Sequence, residues 1–442
     1  MRRVAALACV ALTFAGTLDV GCGGTSPGAS TTGASDGGGD ESASNSDGSA
    51  VDGASQNDAS PGGDSGVADV APVSGLMMRA SNPPYPASEN FITSSVLAIN
   101  WTDIETSVGI YDFTTFDSML AGLTAHGVTD IKVRVFGGDT APTWIKKVGG
   151  PASGYFNSPY IPSAKDCSTS GGVSVENVQG AQACIPFFWS TEYQTAYDSL
   201  MAALAHRLDG DGAKYAPVTT IVDSSCMAVY AEVFYRGQGD GPTNHTLIDA
   251  GLTGGMSGND WACQAAAVAT HARYFKGKQR TAIAINDWDM MNPSNSSSYR
   301  TAAWQNSKQG VAGTWDFLKT VAEPMLGADL ELQNNGLHSD SAPAGGCAAT
   351  TPDVDFFCYL KYYAYRHGFQ TQSYVACAGS DAATPCSTSG ASQTLLDDLN
   401  HGISMNAQFI ELPAGMSSTD WTLMKCFDDQ IVSGSLETNC PQ

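Results

Sequence analysis

The chain has 442 residues, with 44 Asp and Glu against 21 Lys and Arg, a formal net charge of −23. So acidic a balance argues against nucleic acid as a partner, because phosphates need a basic face, and leaves a neutral substrate unpenalised. The length exceeds that of a usual single domain but suits a barrel enzyme with elaborated loops once two leading segments are set aside.

The first of these, MRRVAALACVALTFAGTLDVGC, is two arginines, an apolar run and a small residue before cysteine, the pattern of an export signal. Its apolar run is too short to span a bilayer. The ending LDVGC resembles a lipobox, in which the cysteine is lipidated and becomes the new N-terminus. Gly21 and Cys22 fit, while Leu18 stands one place too far upstream and Asp19 holds a position that is usually apolar. The expectation is an outer-membrane or cell-surface lipoprotein anchored through Cys22, with free secretion as the alternative; the membrane is a partner through that lipid alone. Residues 23–72, dominated by Gly, Ser, Ala, Asp and Thr and without Lys or Arg, have too little apolar surface to offset the entropy of ordering. They read as a disordered acidic tether, spanning roughly 40 Å on average as a flexible coil.

From Val73 the composition changes, and residues 73–442 read as one folded domain. Strand-like GLMMRAS (75–81) and SVLAINW (95–101) precede TTFDSMLAGLTAHG (114–127), a helix stopped by glycine. The β-branched run DIKVRVFGG (130–138) is a strand, and STEYQTAYDSLMAALAHRL (190–208) carries apolar residues at helical spacing. There follow strand 218–224, helix 260–275, strand 281–287, helix 313–326, strand 329–335, helix 353–368, strand 369–376, helix 393–402 and strand 404–412. Eight strands with helices after most of them make the fold class α/β, and a closed parallel (β/α)8 TIM barrel is the simplest solution, since closure removes both sheet edges. An open doubly wound sheet is the alternative, but no Gly-rich phosphate loop follows the first strand. The longest irregular segments, 137–189, 236–259 and 336–352, all follow strands and so would gather at the C-terminal rim, where barrel active sites sit.

Beyond Cys9 in the signal and Cys22, ten cysteines remain in an exported chain, an even number that reads as disulfides. They fall into sequence neighbours, Cys167/Cys184, Cys347/Cys358, Cys377/Cys386 and Cys426/Cys440, leaving Cys226/Cys263. No CxxC or Cys/His cluster has zinc spacing, so no metal and no other cofactor is expected.

Residues 99–145, INWTDIETSVGIYDFTTFDSMLAGLTAHGVTDIKVRVFGGDTAPTWI, carry a Trp-x-x-x-Glu segment, a Gly-x-Tyr-Asp-Phe turn, a helix, a strand with arginine and an Ala-Pro-x-Trp loop. In that order these resemble the N-terminal part of clan A (β/α)8 glycoside hydrolases of the β-galactosidase-like type, glycoside hydrolase family 42-like. The matching residues are Trp101, Glu105, Gly109, Tyr111, Asp112, Phe113, Asp117, Arg134, Ala141, Pro142 and Trp144. Farther on, AVYAEV after strand 4 is similar to the family segment that presents the acid/base glutamate, here Glu232. The resemblance implies an oligo- or polysaccharide partner without naming the sugar.

Glycosidic cleavage by this route needs one carboxyl kept protonated and a second ionised. Glu232, in a segment with few competing charges beside Tyr230 and Tyr235, suits the first role, although Ala231 stands where the family places the asparagine that binds the sugar 2-hydroxyl. The family's nucleophilic glutamate ends strand 7, where this chain has Gln370 and Gln372 and no acid. The nearest substitute is Glu411, ending strand 8 in AQFIELPAG; Asp287, Asp289 and Glu331 are weaker strand-end acids. Arg134, flanked by valines, is expected to point into the barrel and hold a carboxylate, Glu105 or Glu232. Trp101, Trp144, Trp189, Trp288 and Tyr235 are candidate sugar platforms, core packing being the competing role for each, and Asp139 is placed to bind a hydroxyl or cap its turn.

No Gly-x-Ser-x-Gly elbow or calcium loop is present, and the histidines fall mostly in or at the ends of expected helices. Three functional classes stay open: a surface-tethered hydrolase using Glu232 and Glu411, a barrel that binds glycans without cleaving them, and an extracellular structural domain.

Overall fold

The computed structural model describes residues 75–79, 91–150, 155–156, 161, 164–176, 182–226, 242–254, 256–285, 314–337, 356–362, 366–371, 395–412 and 421–434. Eight parallel strands close into a barrel: β1 (Gly75–Met78), β2 (Ser94–Asn100), β3 (Asp130–Phe136), β4 (Val218–Val222), β5 (Arg280–Ala284), β6 (Leu330–Leu337), β7 (Arg366–Thr371) and β8 (Phe409–Glu411). Each strand pairs with its neighbours in sequence, and β8 closes on β1 with Gly75 opposite Phe409 and Met77 opposite Glu411. The arrangement is that of a (β/α)8 barrel, and the open-sheet alternative is excluded by the closure.

The alternation along β3 shows how the sequence builds two cores. Ile131, Val133 and Val135 point outward into the apolar layer between sheet and helices, and the intervening Lys132 and Arg134 point into the lumen. The outer layer is completed by α1 (Thr114–Ala125), α2 (Thr191–Gly210), α3 (Asn259–Tyr274), a helix α4 over 314–326, α5 (Phe356–Tyr362), α6 (Leu395–Ser404) and α7 (Trp421–Ser433). In α2 the buried residues Tyr193, Tyr197, Leu200, Met201, Leu204 and Leu208 recur at helical spacing, and Ser190 caps the helix by accepting from the Tyr193 N–H. Helix α4 passes through a π stretch, Leu318–Ala322. Asp428 of α7 accepts the Leu76 N–H at 2.6 Å, fastening the last helix to the first strand.

Two boundaries differ from expectation. The helix expected over 353–368 ends at Tyr362, and Arg366, His367 and Gly368 belong to β7. The aromatic run suits helix and strand alike, and Arg366 is buried because Glu331 pairs with it inside the barrel. The strand expected over 404–412 is reduced to Phe409–Glu411, with α6 running on to Ser404.

The long segment after β3 carries a short helix, Thr143–Lys146, and a three-stranded sheet of Tyr155–Phe156, Gly172–Glu176 and Gln182–Ile185. Cys167 and Cys184 are bonded within it, and Cys226 just beyond β4 is bonded to Cys263 of α3, two of the expected pairs. Cys358 and Cys426 are also in disulfides. Cys22, Cys347, Cys377, Cys386 and Cys440 lie outside the described residues.

Candidate active site

The lumen of the barrel is half apolar and half ionic. Met77, Val96 and Ala98 of β1 and β2 form a small apolar cluster of their own. Strands β3, β6, β7 and β8 contribute Lys132, Arg134, Glu331, Gln333, Arg366, Gln370 and Glu411, all buried. Lys132 Nζ lies 2.7 Å from Glu331 Oε1 and 3.5 Å from Glu411 Oε1, donates to Gln333 Oε1 at 2.8 Å, and stands 3.7 Å from the centre of the Phe409 ring. Arg366 Nε donates to Glu331 Oε2 at 2.8 Å. Arg134 Nη2 reaches both oxygens of Glu411, at 3.1 and 3.3 Å. The partner of Arg134 is therefore Glu411, not Glu105 as one reading of the sequence had it.

Glu411 is the carboxylate of this network nearest the C-terminal mouth, next to Gln370 in register. With the Gln370 amide oriented to satisfy both its ends, its nitrogen donates to Glu411 Oε2 at 3.0 Å and its oxygen accepts from Arg79 Nη2 at 2.8 Å. The reverse orientation leaves only a 3.4 Å contact from Arg134 Nη1. Burial pushes the Glu411 carboxyl up, but Arg134, Lys132 and Arg79 outweigh it and hold it below the ordinary glutamate range. Glu331 is lowered in the same way: burial opposes it, Lys132 and Arg366 prevail. Chemically, Glu411 is an ionised carboxylate, the state required of a nucleophile or a general base and not of a general acid.

Trp101 and Glu105, expected at the sugar, serve each other. Trp101 is fully buried and donates its indole N–H to Glu105 Oε2 at 2.8 Å, while Glu105 Oε1 accepts from the Gly109 N–H at 2.8 Å and the same carboxylate raises the Tyr111 phenol, after desolvation, to about 12. The Trp-x-x-x-Glu spacing thus builds the turn that follows β2. Trp144 is partly buried, packs edge-on against Trp101 at 6.3 Å and has an indole N–H without a hydrogen-bond partner. Asp139 is exposed beyond β3, and its carbonyl accepts from buried Lys146, whose amine burial lowers to about 8. Trp189 lies in the core of the β3 excursion against Phe187 and Phe188. Glu232, Tyr235 and Trp288 lie outside the described residues, as do Asp287 and Asp289.

Two features escaped sequence reasoning. Lys132 is the hub of the lumen, signalled only by its spacing of two from Arg134 in an otherwise apolar strand. The other is a polar cluster where β4 ends, between the sheet and helices α2 and α3. There Asp223 is fully buried, accepts from the Ser225 N–H at 3.2 Å and lies 4.0 Å from His271 Nε2, which meets the Tyr197 hydroxyl at 2.9 Å. Burial raises Asp223 to about 7 and lowers His271 to about 3, so in mild acid, between those values, the pair carries little charge. Cys226, the next residue but one after Ser224, has φ 43°, in the left-handed region, and is bonded to Cys263. Among the described residues no group of three or more His, Cys, Asp and Glu is arranged to hold a metal ion.

No protein-family model matches the sequence, and no curated protein shows significant similarity to it. The class defined here is thus a closed eight-stranded parallel barrel with an ionic lumen and an ionised carboxylate near its C-terminal mouth.

Proposed function

We propose that the protein is an exported, surface-tethered glycoside hydrolase-like barrel that cleaves O-glycosidic bonds of an external glycan. The observation that carries this reading is Glu411: an ionised carboxylate near the C-terminal end of the barrel, fixed by Arg134 and Gln370. It would take the second-carboxylate role and Glu232 that of general acid, protonating the leaving oxygen as Glu411 attacks the anomeric carbon or activates water. A carboxyl separation of ~5 Å would give retention, and ~6.5–9.5 Å inversion. The export signal, Cys22 and the disulfides support placement outside the cytoplasm.

A second reading, capture of glycans without cleavage, is favoured by a specific observation. Both oxygens of Glu411 are already engaged by Arg134, Lys132 and Gln370, the side chain has no exposure, and Gln370 occupies the end of β7. Turnover of aryl glycosides and polysaccharides by the parent, Glu411→Gln and Glu232→Gln separates the two. Hydrolysis lost in both variants supports the two-carboxylate mechanism; glycan binding without hydrolysis in the parent replaces it with capture.

A further inference from the structure

The lumen does not balance its own charge. Among the described residues, Arg134, Lys132 and Arg79 all act on Glu411, and Lys132 is shared with Glu331, whose other partner, Arg366, also faces Asp130, in a chain whose net charge is −23. The excess lies toward the mouth. Lys132, Glu331 and Glu411 are wholly inaccessible, whereas on the strands that surround them toward the C-terminal end Arg134, Asn335 and Gln370 are 6 %, 6 % and 7 % exposed. These three keep slight exposure, where the carboxylates beneath them have none.

What this layer offers is almost entirely hydrogen-bond donors. Arg134 spends Nη2 on Glu411, its Nε is buried without a partner, and its Nη1 faces the nitrogen of the oriented Gln370 amide at 3.4 Å. Asn335 accepts from Gln333 through Oδ1 at 2.7 Å, which turns its NH2 group the other way. The Gln370 oxygen is occupied by Arg79, and both Glu411 oxygens are engaged. Two donors facing each other call for an acceptor, and a buried unpartnered guanidinium N–H costs stability until it receives one. A sugar hydroxyl brings a donor as well as an acceptor, but a carboxylate or sulfate brings acceptors and the missing negative charge.

Building on the glycan reading above, we infer that the mouth of the barrel selects an acidic sugar residue, its carboxylate or sulfate group set on Arg134 and Asn335. The acidic surface would slow the approach of such a ligand, and the cationic floor compensates at contact range.

The test is calorimetric titration of the purified full chain with four probes: an oligogalacturonate, a sulfated galactan oligosaccharide, a neutral galactan oligosaccharide and a neutral glucan oligosaccharide. The expected result is at least ten-fold tighter binding of one acidic probe than of either neutral one; which acidic probe wins identifies carboxylate or sulfate. Arg134→Lys, which keeps a charge opposite Glu411 but loses the fork, and Asn335→Ala each reduce that affinity at least ten-fold. Thermal unfolding of both variants confirms that they are folded, and the Asn335 variant carries the test should the arginine variant not fold. Neutral probes binding as well as or better than acidic ones overturns the inference and leaves the glycan reading standing. No binding of any probe overturns both, and acidic binding without hydrolysis upholds the inference while removing cleavage.

Discussion

At the scale of single residues, the lumen is held by buried charges that share their partners. Lys132 is shared by Glu331 and Glu411 in the buried lumen, and removing it leaves Glu331 to Arg366 and Glu411 to Arg134, with the space and hydrogen bonds of its amine unfilled. Lys132→Met should therefore destabilise the fold by less than the roughly 3–5 kcal/mol of a fully unpaired buried charge, measured by urea unfolding, whereas the exposed pair Lys425–Asp429 should be worth under about 1 kcal/mol in the same assay. Gly368 is constrained by contact: a Cβ there would lie 2.5 Å from both the ring and the carbonyl oxygen of Phe409, the ring on which Lys132 sits. Gly368→Ala forces β7 away from β8 and should cost roughly 1–3 kcal/mol as an overpacked core site, seen as a lowered Tm. Neither position announces itself in the sequence. A lysine amid Ile and Val reads as an interrupted strand, and a glycine before Phe-Gln reads as a helix end.

At the scale of elements, the exit of β4 is the sensitive joint. The Cys226–Cys263 disulfide closes a 37-residue separation between that exit and α3, which in the chain-entropy model is worth up to about 4 kcal/mol. Next to it, Asp223 is raised from 3.8 to about 7 by burial. Between those values the folded state keeps a proton that the unfolded state has released, so this group's contribution to stability falls as pH rises through the window. His271, lowered from 6.5 to about 3, works in the opposite sense: the unfolded state takes up a proton the folded state refuses, so its contribution rises with pH until about 6.5. The two offset each other in mild acid. Asp223→Asn should remove the first term alone and gain stability relative to the parent by roughly 4 kcal/mol between pH 4 and 8. Denaturant titrations at the two pH values check this, and equal pH dependence in parent and variant would contradict a neutral, buried Asp223.

At the scale of the whole molecule, the proposed export signal and acidic tether would hold the barrel clear of a surface. Cys22→Ala should shift the protein from the membrane fraction to the soluble one without changing the Tm of the barrel, because the substitution lies about 50 residues before the first strand. Fractionation with and without the substitution is the measurement; a soluble parent would favour free secretion instead.

The number and order of strands and the helices between them were legible because they rest on local periodicity: apolar residues alternate along β3 and recur every three or four along α2. The pair Cys167–Cys184 was legible for a related reason, since its partners are near in the chain. What only the tertiary structure decided is which charges meet. Arg134 and Glu411 are 277 residues apart, Lys132 and Gln333 are 201 apart, and no local pattern distinguishes Glu411 from Glu105 as the arginine's partner. Trp101, conspicuous in sequence as a sugar platform, is claimed by Glu105 four residues away once the chain turns. Closure of the barrel brings β3, β6, β7 and β8 within ion-pair distance, and the low dielectric of the interior then turns five scattered charged residues, Lys132, Arg134, Glu331, Arg366 and Glu411, into one charge network.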